Sequence, residues 1–168
     1  AEVRGWVKRG VSVLLFDYRS YGKSGGSIRK ENDLYLDAKA AFAWLQTEKH
    51  RNSSDVILYG ESVGAVPAVQ LATGNRFKTV ILEAPFTSLR EMAKIHYGFA
   101  PGFLLKDFEM PNAQRIQKLK SPVFILHGAA DEIVPLSMGR KLFELAPKPK
   151  EFFEVPGAGH NDISSAAG

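Results

Sequence analysis

Four short apolar runs limit the possible folds more than any other feature of this chain: VSVLLF at 11–16, DVILY at 55–59, TVILE at 79–83 and PVFILH at 122–127. Each is continuous and rich in Val, Ile and Leu. None alternates with polar residues as a half-exposed strand does. This is the pattern of strands buried on both faces of a parallel sheet. A fifth run, EFFEV at 151–155, follows them. The segments between the runs read as helices. In 32–49, Leu34, Ala38, Ala41, Phe42 and Leu45 fall on one helical stripe, with Asn32 as candidate N-cap and Asp33 suited to the first turn. Residues 63–73 form a short apolar helix with Pro67 near its first turn, and 136–146 form another that stops before Pro147. Strands alternating with helices give an α/β domain with a mostly parallel sheet, here a single domain over 1–168. Ligands of such sheets bind at the carboxyl ends of the strands, which directs attention to the loops after residues 16, 59, 83, 127 and 155.

The loop after 59 carries Gly60-Glu61-Ser62-Val63-Gly64, a G-x-S-x-G motif between a strand and a helix. In that context the chain turns sharply, and the serine is held strained with its oxygen exposed. Glycines at Gly60 and Gly64 are expected to remove side chains that would clash in the turn. The N–H groups of the following helix favour negative charge nearby. The motif alone is weak, because Gly22-Lys23-Ser24-Gly25-Gly26 matches it as well. Ser24 lies well past its run, with no helix starting directly after it, and fails the strand–turn–helix test. GKS at 22–24 is no phosphate loop either, since Asp17 occupies the position of the first glycine.

A serine hydroxyl needs a base. Of the four histidines, His50 follows a charged helix, His96 lies in an irregular stretch with no assigned role, and His127 closes a strand where packing or a backbone hydrogen bond suits it. His160 lies in the Gly-rich loop VPGAGHND after the last run, where a base can reach the serine. Asp131, after the 122–127 run, is the candidate acid that orients it, with the adjacent Glu132 as fallback. Glu83 belongs to the preceding loop, and Asp162 is too close to His160 in sequence.

The blocks DYRSYGKSGGS, YGESVGAVPAVQLA, EAPFTSL, PVFILHGAADEIVP and GAGHND occur in order from about residue 11 to 163. In these blocks the sequence resembles the serine hydrolases of the α/β-hydrolase superfamily. SVGAVPAVQLA and GAGHNDI are similar to the depalmitoylase-like α/β-hydrolase-domain proteins and their bacterial relatives. The resemblance implies Ser62 as nucleophile, Asp131 as acid and His160 as base, in the chain order Ser, Asp, His. It also implies the Val63 N–H as one oxyanion donor. In that family further strands and a His-Gly loop with a second oxyanion donor precede the segment matching residue 11. The chain opens AEVRGWVKRG without a methionine and is read as a fragment, so a targeting segment or membrane anchor would lie outside it.

The expected activity is hydrolysis of an ester or thioester through an acyl-enzyme, on a small-molecule or acyl-protein substrate. A peptidase or amidase with the same three residues, and a binding module that has lost its chemistry, are the alternatives. Residues 86–118 are a candidate cap. Phe86, Phe103 and Leu104 are candidate pocket residues, and covering the sheet is the other use for such side chains. The net charge of +4 comes from small Lys/Arg groups interspersed with acids, which reads as a solvated surface rather than a nucleic-acid patch. The absence of cysteine excludes disulfides, thiolate zinc sites and a cysteine nucleophile. Nothing in the sequence calls for a metal or cofactor, and no apolar run reaches the length of a membrane span.

Overall fold

A computed structural model describes residues 2–98 and 105–163. Its sheet has four strands, β1 (Ile57–Glu61), β2 (Thr79–Glu83), β3 (Val123–Gly128) and β4 (Lys150–Val155), all parallel and in the order β1-β2-β3-β4. Four of the five apolar runs therefore become strands. The register aligns Glu61 with Glu83, Glu83 with Leu126, and Gly128 with Val155. The carboxyl ends of all four strands thus finish at one edge, and their loops share it.

The helices are α1 (Glu2–Lys8), α2 (Glu31–Glu48), α3 (Ala65–Gly74), α4 (Leu89–Tyr97), α5 (Asn112–Arg115) and α6 (Leu136–Leu145). Phe42 of α2, Val69 of α3 and Leu142 of α6 share a core with Val80, Leu82, Val123 and Ile125. These strand residues are register partners on one face, so the three helices cover that face together. On the other face Trp6 of α1 meets Tyr59 edge-on at 4.9 Å. Ala84, Val155, Ala158 and Ile163 make a smaller cluster near the carboxyl edge.

Three sequence expectations need correction. The run 11–16 is not a strand, and Val11, Leu14, Leu15 and Phe16 are exposed. An apolar run supplies strand propensity, but a strand also needs a partner, and this run pairs with none of the four. Burial on both faces is also incomplete, since Ile81, Phe124 and Leu126 are half-buried and Phe153 is exposed. Finally, α2 begins one residue before Asn32, with Lys30 at its N-cap. Asp33 organises that end by accepting from the N–H groups of Arg29 and Lys30 at 2.9 and 3.2 Å. The predicted stripe holds: Leu34, Ala38 and Phe42 are buried.

Candidate active site

β1 runs directly into a 3₁₀ turn at Ser62–Gly64 and then into α3, and Ser62 sits in that turn at φ +50°. A non-glycine residue in the left-handed region is strained, and surrounding structure must hold it there. Gly60 is part of the reason it holds. A Cβ there would lie 2.5 Å from Gly64 O and 2.8 Å from the Ala65 Cα, so only glycine lets α3 approach. Gly64 is different: at φ −62° its Cβ would meet nothing within 4 Å. The expected steric need for the second glycine is therefore absent. Val63, expected as an oxyanion donor, is the exposed residue directly after Ser62 at the start of the turn. Ala84, at the end of β2, also has a positive φ, +45°, and is fully buried.

The three residues singled out from sequence come together at the carboxyl edge. His160 Nε2 lies 3.1 Å from Ser62 Oγ, and His160 Nδ1 lies 2.8 Å from Asp131 Oδ2. A carboxylate only accepts, so the proton is on Nδ1, and Nε2 is free to accept from the hydroxyl. Asp131 is buried, and its Oδ1 accepts from the N–H groups of Ile133 and Val134 at 2.9 and 2.8 Å. Those two bonds orient the carboxylate so that Oδ2 faces the imidazole. The His160 loop packs closely on β3, since a Cβ at Gly128 would overlap Ala158 O. Such a constellation can move a proton from a hydroxyl to an imidazole and hold the resulting imidazolium beside a fixed carboxylate.

The remaining sequence candidates fall elsewhere. Ser24 Oγ donates to Asp17 O at 2.8 Å inside its own turn. Glu83 is buried and accepts from the Tyr59 hydroxyl. Glu132 is exposed beside Asp131, Asp162 is exposed, and so is His50. Phe86 is 3% exposed in a core cluster with Leu34, Val66, Met110, Val134 and Met138, so it packs as core rather than walling an open pocket. Phe103 and Leu104 lie outside the described residues. Among the described residues no three His, Asp or Glu side chains group as metal ligands. No described helix is long and apolar enough to cross a membrane.

Two histidines grip the Asp131 turn. His127, fully buried, has Nε2 2.8 Å from Val134 O, so it combines packing with a backbone bond, the two uses expected of it. His96 Nε2 lies 2.7 Å from Ile133 O. His96 had no role in the sequence reading, and its stretch is helical rather than irregular. The signal was present in Ser88-Leu89-Arg90-Glu91, an S-x-x-E start at which Ser88 Oγ accepts from Glu91 N at 3.1 Å.

Residues 3–106 match the family model described as "Serine aminopeptidase, S33". The chain belongs to this family of α/β-hydrolases. It is 40% identical over 153 residues to an uncharacterized protein of Mycobacterium tuberculosis, covering 91% of this chain and 54% of that protein. To human alpha/beta hydrolase domain-containing protein 17B it is 39% identical over 156 residues, covering 90% of this chain and 51% of that protein. The chain thus spans about half the length of these curated relatives. Among solved structures, an esterase of Pyrococcus furiosus superposes with a TM-score of 0.76 at 25% identity, covering 95% of this chain and 66% of that one. A serine hydrolase homologue from Coxiella burnetii superposes with a TM-score of 0.67 at 24% identity, covering 90% of this chain and 62% of that one, a likeness of fold. The α/β architecture expected from the apolar runs is the architecture of this family.

Proposed function

We propose that the chain carries the active site of a serine hydrolase that cleaves a carboxylic ester or thioester through an acyl-enzyme. The observation that carries this reading is the unbroken line from Ser62 Oγ to His160 at 3.1 Å and on to Asp131 at 2.8 Å, anchored on a serine at φ +50°.

Ser62 Oγ attacks the carbonyl carbon as its proton passes to His160 Nε2. The carbonyl π pair moves onto oxygen, which the Val63 N–H receives at the start of the turn. The tetrahedral intermediate collapses, the bond to the leaving oxygen or sulfur breaks, and His160 returns the proton to that atom. Water then enters, gives a proton to His160 and attacks the acyl carbon. The acid leaves as Ser62 takes its proton back. Asp131 stays ionised throughout and stabilises the imidazolium formed in each half. A base of this kind works only when neutral.

The name of the matching family favours a second reading, an aminopeptidase with the same machinery. A panel of aryl and thiol esters against aminoacyl amides separates the two. Ester or thioester turnover that exceeds amide turnover and disappears in Ser62→Ala supports the proposal. Undiminished turnover in Ser62→Ala overturns both readings.

A further inference from the structure

We propose that His127 is a positioning residue, whose Nε2–H reaches from the core to fix the 131–134 turn and so sets Asp131 against His160. The inference rests on the serine-hydrolase reading and adds a fourth residue to its machinery.

His127 is the next-to-last residue of β3 and is fully buried. Its Nε2 lies 2.8 Å from Val134 O. A carbonyl only accepts, so Nε2 carries the proton. The same nitrogen lies 3.5 Å from Asp131 Oδ2, the oxygen that accepts from His160. The N–H therefore points into the turn, with its positive end toward the carboxylate.

The other ring nitrogen explains why the imidazole stays there. Nδ1 is buried without a hydrogen-bond partner among the described residues. It faces Gly139 of α6, where a Cβ would collide with it. The ring is wedged between α6 and the turn in one tautomer. Burial holds its pKa below the ordinary imidazole value, against the opposing pull of its bond to Val134 O and of Asp131. His160 and Glu154 are the other charged or titratable groups acting on it. The ring is accordingly a neutral dipole, and it adds no second cation beside the imidazolium that forms on His160.

The coupling to chemistry follows from the turn. Asp131 Oδ1 is held by the N–H groups of Ile133 and Val134, and Val134 is the residue whose carbonyl His127 holds. Without that donor the turn shifts, and both carboxylate oxygens shift with it. Leucine at 127 fills comparable space and offers no donor. Glutamine places an N–H at a similar reach.

The test compares wild type, His127→Leu and His127→Gln, with rates counted per site titrated by a fluorophosphonate so that misfolded protein drops out. His127→Leu is expected to lower kcat by about 10–100-fold with KM unchanged, as a misplaced catalytic group does. The acid limb of its kcat/KM profile moves to lower pH, because the imidazolium has lost a well-placed carboxylate. His127→Gln recovers most of the rate and the position of the limb. Wild-type kcat and limb in His127→Leu, or no recovery in His127→Gln, overturns the proposal. If His127→Leu does not fold, nitrogen NMR of the wild-type imidazoles decides. A neutral His127 ring protonated on Nε2 at pH 7 is expected, and a proton on Nδ1 or a charged ring overturns the proposal. That measurement needs no turnover, so it is separate from failure of Ser62 to take the probe, which would count against the hydrolase reading itself.

Discussion

Gly60 and Gly64, the two glycines of one motif, differ in what they do: a Cβ on Gly60 would come 2.5 Å from Gly64 O, while a Cβ on Gly64 would touch nothing within 4 Å. Gly60→Ala is expected to push α3 away from β1 and lower the reactivity of Ser62 by about 100-fold or more, since small displacements of a nucleophile are costly. Gly64→Ala occupies an ordinary helical conformation and is expected to raise stability by roughly 0.4–1 kcal/mol through the unfolded chain. Probe labelling and thermal melts of the two variants check this. Equal damage in both would show that the turn is not held as described.

Arg19 ties the 17–28 loop to α2, with bonds from its guanidinium to Asp37 at 2.6 Å and Asp33 at 3.2 Å. The bond from Arg19 holds the Asp37 carboxyl below its ordinary range, and the backbone N–H of Arg29 does the same for Asp33. Carboxyls with depressed folded values add stability that is complete above the unfolded value of about 3.9 and is lost as pH falls through the folded values. Denaturant midpoints should therefore fall in acid below about pH 4. Asp37→Asn should start lower at pH 6 and fall less steeply. A slope in Asp37→Asn parallel to wild type contradicts the assignment.

His127 adds a second window with its own sign. It is a base whose folded value is depressed by burial. Between that value and the unfolded one of about 6.5 the unfolded chain binds the extra proton, so stability falls as pH drops below about 6.5. This loss begins well before the carboxylates titrate. Wild-type stability should decline as pH falls below about 6.5, and His127→Leu should decline less. A decline retained in full by His127→Leu would place the titration elsewhere.

The packing gives a paired prediction on stability. Leu142 is fully buried against the sheet, and Phe153 is 50% exposed. Leu142→Ala should cost about 2–5 kcal/mol, the range for a buried leucine that leaves a cavity. Phe153→Ala should stay within about 1 kcal/mol, as exposed substitutions generally do. Urea titrations of both variants test which face of the sheet is the packed one.

Strands β1 to β4 and the meeting of Ser62, Asp131 and His160 were legible because each depends on local signals: apolar runs, a strand–turn–helix serine, and loops at one edge of a parallel sheet. Much of what was missed depends on contacts that composition and periodicity do not carry. The run 11–16 has the composition of a strand, but pairing is a property of two segments, and the run pairs with none of the described strands. The need for glycine at 60 but not at 64 depends on where α3 sits over β1. The grip of His96 on Ile133 O joins residues 37 apart, and periodicity carries no signal for it. The N-cap of α2 was misplaced by two residues because Asp33, not Asn32, organises the turn through the backbone of Arg29 and Lys30.

Whether Ser62 is an activated nucleophile is decided by treating the chain with a fluorophosphonate and locating the adduct by mass spectrometry. One adduct is expected, on Ser62, lost in Ser62→Ala and strongly slowed in His160→Ala. An adduct on Ser24, or labelling of Ser62 at the same rate without His160, would contradict it.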